Sequence, residues 1–225
     1  MNGLIIIQAR MSSCRLPGKV LKCVNSKPLL RYVVETCRHS TVGNVIVASS
    51  LDVSDLPIID YCRENSIDVF AGPLENVACR FKEIIKERQP DYFIRICGDS
   101  PLTDYRLIDS MVEIYLSGKY DIVTNTLQRS FPKGVSVEII DSEMFMDSLP
   151  KFYKQEHFEH VTRYFYENEG CYRIYNYVND VNYSTIQLSV DTADDFIQFE
   201  SIIEQMEKPH WEYRFFEIVR LIARV

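Results

Sequence analysis

Residues 4–19 read LIIIQARMSSCRLPGK, and this stretch decides how the rest of the chain is interpreted. The apolar run at 4–7 predicts the first buried strand of a parallel sheet. The loop that follows carries cations and hydroxyl groups: Arg10, Ser12, Ser13, Arg15 and Lys19. Ligands of open α/β sheets bind at the carboxyl ends of the strands. We therefore expect this loop to hold a polyphosphate through its charges, its hydroxyls and its turn N–H groups.

The same loop lacks the patterns of the commoner phosphate-binding motifs. It is neither G-x-x-x-x-G-K-[ST] nor G-x-G-x-x-G. It therefore argues against a P-loop NTPase and against a Rossmann dehydrogenase. Its cations are side chains, whereas those motifs present a glycine-rich backbone to the phosphates.

Composition narrows the classes of partner. The chain has 225 residues, 46% of them hydrophobic, which is enough for one sizeable core. Its net charge of −7 argues against nucleic acid as a partner, so the cationic loop is a local departure that favours a specific anion. Seven cysteines without a C-x-x-C pair or a secretion signal predict reduced thiols in a cytoplasmic protein. No apolar run approaches the roughly 18 residues of a membrane span.

The order of predicted elements indicates the fold class. The predicted strands lie at 4–8, 44–49, 68–71, 92–96 and 121–125, and the predicted helices between them at 28–38, 54–65, 75–88 and 104–117. This strict alternation predicts an α/β fold with a doubly wound, mainly parallel sheet.

The pattern changes after residue 126. We expect strands at 134–140, 172–178 and 186–190, and helices at 142–149, 155–168, 194–207 and 211–223. No linker or internal repeat interrupts the chain. We predict a single domain, 1–225, with an inserted mixed β/α region at about 127–185.

Two aspartates follow predicted strands and are candidate metal ligands. Asp99 comes after a strand and a glycine, and Asp191 comes after the strand at 186–190. A carboxylate beside a triphosphate would be repelled unless a cation such as Mg²⁺ lay between them, and Mg²⁺ is commonly held by one or two carboxylates plus phosphates. Each aspartate has a structural alternative: Asp99 could form a turn, and Asp191 could cap the next helix. For the second case we assign the cap to Thr192.

Several motifs together resemble the cytidylyltransferases grouped with the spore coat polysaccharide biosynthesis protein F. They cover nearly the whole chain in order: IIQARMSSCRLPGKVL (6–21), G…NV…RF (72–81), RICGDSPL (95–102), FPKGVSVE (131–138), EHVT (159–162) and VDTADD (190–195). The chain is similar, more distantly, to CMP-Kdo and CMP-sialate synthetases, which have proline where this chain has Gln8.

The resemblance implies a nucleotide-diphospho-sugar transferase-like fold and a CTP-dependent, Mg²⁺-dependent synthesis of a CMP-sugar with release of pyrophosphate. It implies nucleotide binding by Ala9, Arg10, Ser12, Ser13, Arg15, Lys19, Asn76 and Arg80, and metal binding by Asp99 and Asp191. Arg15, Lys19 and Asp99 are then the candidate catalytic residues.

The acceptor and the assembly are the next implications. The candidate acceptor residues are Lys133, Glu138, Glu159 and His160. Lys133 stands where relatives often carry an acidic residue, and we expect it to pair with the carboxylate of an acidic 2-keto-3-deoxy sugar of the sialate, legionaminate, pseudaminate or Kdo kind. A homodimer through the tyrosine-rich inserted region is also expected.

Two alternatives stay open. The chain could transfer a nucleotide to another acceptor, such as a sugar phosphate or phosphonate, or use another nucleotide. It could also be a nucleotide-binding module without catalysis.

Overall fold

A computed structural model describes residues 1–222. The strands are β1 Gly3–Gln8, β2 Cys23–Val24, β3 Lys27–Pro28, β4 Val45–Ser50, β5 Val69–Gly72, β6 Tyr92–Cys97, β7 Ile122–Thr124, β8 Glu138–Asp141 and β9 Ile174–Asn176. The helices are α1 Leu29–Arg38, α2 Leu56–Glu64, α3 Val77–Arg88, α4 Tyr105–Leu116, α5 Ser142–Ser148, α6 Gln155–Glu159, α7 Arg163–Glu167, α8 Ala193–Glu204 and α9 Phe215–Ile222.

Seven strands form one sheet in the order β5-β4-β1-β6-β8-β7-β9. The first strand, β1, pairs in parallel with β4 on one side and with β6 on the other. The predicted α/β class and mainly parallel sheet are confirmed. Because the chain builds outward from β1 in one direction and then in the other, the crevice between β1 and β6 is the switch point at which such sheets bind ligands.

Apolar side chains pack on both faces of this sheet. Along β1, Ile5 and Ile7 lie on one face, and Leu4 and Ile6 on the other. The first face is covered by α1, α2, α4, α8 and α9, and the second by α3, α5 and α7. None of the helices within residues 1–222 is long and apolar enough to cross a membrane.

One strand breaks the parallel pattern. The strand predicted at 134–140 is shorter, Glu138–Asp141, and β8 lies antiparallel between β6 and β7. No local pattern indicates this insertion, since β7 follows β6 along the chain as a next parallel strand would. Glu138 thereby stands directly opposite Arg95.

The helix predicted at 155–168 is wrong in its middle. It divides into α6 and α7, and His160 between them has a non-helical backbone with φ −107° and ψ 85°. Val161 is fully buried, and the Thr162 hydroxyl donates to the buried Glu138 carboxylate at 2.7 Å. These two inward contacts draw the chain away from a continuous helical path.

The segment predicted as a strand at 186–190 is not a regular strand: among the described residues it makes one bridge, between Lys133 and Gln187, and it bends at Ser189. Other bounds differ at their ends: β9 is shorter than 172–178, and α9 starts at Phe215 after a 3₁₀ turn at His210–Glu212. The end of the predicted helix 211–223, Ala223, lies outside the described residues.

A short hairpin of β2 and β3 was not predicted; Asn25 and Ser26 form its turn with positive φ.

Candidate active site

The cationic loop after β1 is fixed by its backbone. The Met11 carbonyl accepts hydrogen bonds from Ser13 N at 2.8 Å and Gly18 N at 2.9 Å, which closes the loop on itself. Met11 N donates to Asp55 Oδ1 at 2.6 Å. Asp55 is fully buried and also accepts from the Ser50 hydroxyl at the end of β4. This anchor holds the loop over the carboxyl edge of the sheet.

Lys19 joins the two aspartates that the sequence singled out. Its Nζ donates to Asp99 Oδ2 at 2.6 Å and to Asp191 Oδ1 at 2.9 Å. Arg15 Nη2 reaches Asp191 Oδ1 at 3.1 Å. The side chain of Lys19 is only 8% exposed, whereas that of Arg15 is 64% exposed. The site therefore has one buried cation, Lys19, between two carboxylates and one exposed cation, Arg15, at its mouth.

The electrostatics follow from this arrangement. Burial alone would lower the pKa of Lys19, but Asp99 and Asp191 outweigh burial and raise it. For Asp191, burial alone would raise the pKa. The hydrogen bond and the charge of Lys19, followed by the charge of Arg15, outweigh burial and hold the pKa of Asp191 below its usual value. Lys19 and Asp191 are thus both charged at neutral pH.

Main-chain contacts bring Asp191 beside Asp99. Val190 N donates to the Asp99 carbonyl at 2.9 Å. Thr192, the residue after Asp191, caps α8. Its Oγ1 accepts from Asp195 N at 3.2 Å, and the Asp195 carboxylate accepts from Thr192 N at 2.8 Å, which forms a capping box. The prediction that Thr192 supplies the cap is confirmed. The Asp191 carboxylate is left to face the cavity.

The pair Asp99 and Asp191 fits a hard divalent cation. Two carboxylates converge on one point, the Lys19 ammonium, so a positive charge is already favoured there. Within residues 1–222 no group of three or more His, Cys, Asp and Glu side chains is placed to hold a metal alone. Oxygen atoms of a bound phosphate would have to complete the coordination shell, as is common for Mg²⁺.

The opposite wall comes from the inserted region. Arg10 contacts Glu159 Oε1 through both terminal nitrogens at 3.4 Å. Glu159 ends α6, and the exposed His160 follows it in the break before α7. The helix break therefore turns these side chains toward the cationic loop after β1.

These elements enclose a cavity of about 310 Å³ at the carboxyl edge of β1 and β6. The predicted residues on its wall are Ala9, Arg10, Ser12, Ser13, Arg15, Lys19, Asp99, Glu159, His160 and Asp191. Ten of the fourteen candidate residues are thus brought together.

Four predicted residues do not line this cavity. Asn76 caps α3 by accepting from Cys79 N at 2.7 Å, and Arg80 is fully buried with Nε and Nη1 unpartnered among the described residues. The side chain of Lys133 is exposed, while its main chain pairs with Ile186 and Leu188. Glu138 is 3% exposed and lies behind the wall. Their roles in binding nucleotide or acceptor stay predictions.

Sequence reasoning missed two polar residues on the wall, Gln8 and Arg95. Arg95 Nε donates to Gln8 Oε1 at 3.2 Å, and its Nη1 donates to Glu138 Oε2. The signal was present: an arginine between Ile94 and Ile96 in a buried strand requires a partner. Asp55 was missed as well, because it lies outside the resembling motifs.

Known proteins resemble this chain over most of its length. A sequence model described as cytidylyltransferase matches residues 4–217. The spore coat polysaccharide biosynthesis protein SpsF of Bacillus subtilis is 30% identical over 217 residues, which cover 92% of this chain and 88% of that protein. The structure of a cytidylyltransferase from Leptospira borgpetersenii superposes with a TM-score of 0.94 at 27% identity, covering 100% of this chain and 94% of that one.

A more distant structure shares the fold. It is a CMP:2-keto-3-deoxy-manno-octonic acid synthetase complexed with CTP, with a TM-score of 0.71 at 17% identity. The match covers 91% of this chain and 99% of that one.

Proposed function

The chain belongs to the cytidylyltransferase family, and on that premise we propose that it activates an acidic 2-keto-3-deoxy sugar with CTP to a CMP-sugar, releasing pyrophosphate, for surface glycan synthesis. The observation that carries the proposal is the pair of contacts that Lys19 makes with Asp99 and Asp191, beside Arg15 of the cationic loop. It offers cations to a triphosphate and two carboxylates to a metal within one cavity. The name of the distant synthetase, which acts on an acidic keto sugar and was solved with CTP, supports the acceptor class.

The chemistry proposed is an in-line displacement. The acceptor hydroxyl attacks the α-phosphorus of CTP, the bond to the β-phosphate oxygen breaks, and pyrophosphate leaves. Positioning and charge stabilisation supply most of the catalysis in such transfers. Lys19 and Arg15 would neutralise the charge that grows on the departing pyrophosphate. Mg²⁺ held by Asp99 and Asp191 would, when bound, polarise the phosphate oxygens and lower the pKa of the acceptor hydroxyl.

A pyrophosphate-release screen tests the proposal directly. The purified protein is given CTP, UTP, ATP or GTP with Mg²⁺ and a panel of sialate, legionaminate, pseudaminate and Kdo acceptors, together with neutral sugars, sugar phosphates and phosphonates. We expect turnover with CTP and an acidic keto sugar. Turnover with phosphate-bearing acceptors alone would refute the acceptor class, and no turnover with any pair would favour a binding module.

Nucleotide selectivity can be measured without an acceptor. With Mg²⁺ present, CTP is expected to raise Tm more than UTP, ATP or GTP does. A ligand that binds only the folded state stabilises by about 2.7 kcal/mol at a hundredfold excess over Kd. Equal shifts for the four nucleotides would contradict the cytidine assignment.

The proposal includes a homodimer and a cytoplasmic location. Large apolar side chains of the inserted region are exposed, including Tyr153, Val178 and Val181, and such surfaces commonly mark protein contacts. Light scattering would measure the molar mass, and a monomer at all concentrations would refute the dimer. Cell fractionation would test the location, which the reduced thiols support.

A further inference from the structure

Arg95 is the least expected residue on the cavity wall. It lies in the carboxyl half of β6, on the same face of the sheet as Gln8, and directly opposite Glu138 of β8. Its Nε donates to Gln8 Oε1 at 3.2 Å and its Nη1 to Glu138 Oε2. Its Nη2 donates to no residue within 1–222. Two of the three guanidinium nitrogens are therefore held, and Nη2 is available to a ligand in the cavity.

Glu138 is built to hold Arg95 in this orientation. Besides Arg95, its carboxylate accepts from Tyr166 OH at 2.6 Å and Thr162 Oγ1 at 2.7 Å. Burial would raise the pKa of Glu138, but the Arg95 charge and the two hydroxyl donors hold it below its usual value. Glu138 is consequently ionised at neutral pH, and an ionised partner fixes the Arg95 side chain more firmly than a neutral one would.

The other cations near the cavity are already engaged or directed elsewhere. Lys19 and Arg15 contact the two aspartates, and Arg10 contacts Glu159. Lys133, the residue expected from the sequence to meet the acceptor carboxylate, is exposed and off the wall. Arg95 differs from these cations because its partner, Glu138, lies outside the cavity. Arg95 can therefore contact a ligand in the cavity while its ion pair with Glu138 stays intact.

Position and shape indicate which ligand group would meet it. Arg95 belongs to the β6–β8 side of the cavity, next to the segment that carries Thr162 and Tyr166, whereas the cationic loop follows β1. With Nε and Nη1 held, the plane of the guanidinium is set, and its free N–H groups lie in that plane, an arrangement that suits carboxylate oxygens.

Resting on the proposed function, we propose that Arg95 binds the carboxylate of the acceptor sugar, with Glu138 and Gln8 as its positioning residues. Arg95 then selects acidic acceptors. Lys133 makes no contribution to that selection.

The test compares acceptor and nucleotide constants in matched variants. Arg95→Met removes the charge at similar length, Arg95→Lys keeps the charge without the planar fork, and Lys133→Ala removes the competing cation. Each is assayed with CTP and the acidic sugar that the wild type uses best, and with the carboxamide of that sugar.

We expect Arg95→Met to raise the acceptor KM by about tenfold or more, as loss of a charged hydrogen bond does. It should also abolish the preference for the acid over the amide and change the KM for CTP less than twofold. Lys133→Ala should change neither KM.

Two further variants separate positioning from folding. Arg95→Met leaves Glu138 buried without its partner, so the double variant Arg95→Met/Glu138→Gln removes both charges and should show the same loss of acid preference in a stably folded protein. Glu138→Gln alone keeps a hydrogen-bond acceptor, and we expect a raised acceptor KM with kcat for saturating acceptor within about threefold of wild type, since ground-state and transition-state binding fall together.

Each outcome decides the proposal. An equal rise of both KM values, an unchanged acid preference in the double variant, or a larger effect of Lys133→Ala would overturn it. These results are distinguishable from failure of the proposed function, because that failure shows in the wild type as no turnover of any acidic sugar. Turnover of phosphate-bearing acceptors alone overturns both.

Discussion

At the scale of single residues, Lys19 lies at the centre of the charged groups of the site. Its ammonium contacts the Asp99 and Asp191 oxygens that a metal would need. A metal and Lys19 therefore compete for the same carboxylates unless phosphate oxygens attract the ammonium. The triphosphate would supply those oxygens, so metal and nucleotide are expected to bind together more tightly than either binds alone.

The first prediction is that Asp99→Asn greatly weakens metal binding and turnover while the fold is retained. Asparagine keeps the shape and can still accept from Lys19, but it lacks the charge that a metal requires. We expect kcat to fall by more than about tenfold, which is 1.4 kcal/mol of barrier. Calorimetric titration of Mg²⁺ into protein with CTP should show weaker binding as well. Asp60→Asn, on the exposed surface of α2, is the matched control. Near-normal kcat in Asp99→Asn would rule out the metal role.

The second prediction concerns Arg15. Its guanidinium is largely exposed and reaches Asp191 at 3.1 Å, so it can reorient toward a phosphate. Arg15→Ala should raise the KM for CTP and also lower kcat, because charge on the departing pyrophosphate grows in the transition state. Steady-state kinetics measure both constants, with Arg63→Ala on α2 as the control. If both constants match the wild type, the loop is an ordinary surface turn.

Most of the site could be predicted residue by residue, and Arg95 shows where prediction stops. Arg15, Lys19 and Asp99 follow strands whose carboxyl ends must share one edge, so their meeting was predictable. The Arg95–Glu138 pair depends on β8 lying antiparallel beside β6, and no local pattern encodes that register. The sequence therefore predicts Lys133 as the partner of the acceptor carboxylate, whereas the role that we propose for Arg95 depends on a pairing with Glu138 that the sequence does not show.

At the scale of elements, two irregular segments shape the site. The break between α6 and α7 brings Glu159 and His160 to the wall, and the segment at 186–190 carries Asp191 to Asp99. Both were predicted as regular elements from their apolar spacing. Tertiary hydrogen bonds override that local preference, as when Thr162 donates to Glu138 and Val190 N to Asp99.

The third prediction tests how the 186–190 segment is held. Gly134 has φ +99°, and a Cβ there would lie 2.3 Å from Ser189 N, a backbone atom. Gly134→Ala should lower the free energy of unfolding by more than the roughly 1–2 kcal/mol of a left-handed conformation alone, because the backbone contact must also open. It should reduce kcat too, through displacement of Asp191. Urea unfolding and steady-state kinetics measure the two effects.

Gly170→Ala is the control for this substitution. A Cβ at Gly170 meets nothing within 4 Å, and its φ is not positive. We expect its stability and kcat to stay near wild type. A Gly134→Ala protein with the same behaviour would show that the contact with Ser189 does not constrain the site.

At the scale of the whole molecule, residues 210–215 close the layer of helices on the sheet face that carries α1 and α4. His210 is buried and its Nε2 donates to the Tyr32 carbonyl of α1 at 3.0 Å. Phe215 N donates to the buried Asp104 carboxylate at the start of α4. Residues 210–215 are thereby tied to α1, which packs on β1, and to α4, which packs on β7 and β8.

The last prediction is a pH dependence of this closure. Burial lowers the pKa of His210 to about 4 from an ordinary 6.5, since a charged ring there would lose its hydration. The unfolded chain binds the proton first as pH falls, so this contribution to stability is complete above pH 6.5 and is lost progressively between 6.5 and 4. Between pH 7 and pH 5 the loss should be on the order of 2 kcal/mol.

His210→Gln can still donate to Tyr32 but does not titrate. The difference in unfolding free energy between wild type and His210→Gln, measured in urea at both pH values, should therefore shrink or reverse by that amount at pH 5. A pH-independent difference would mean that His210 is protonated as easily in the folded protein as in the unfolded chain.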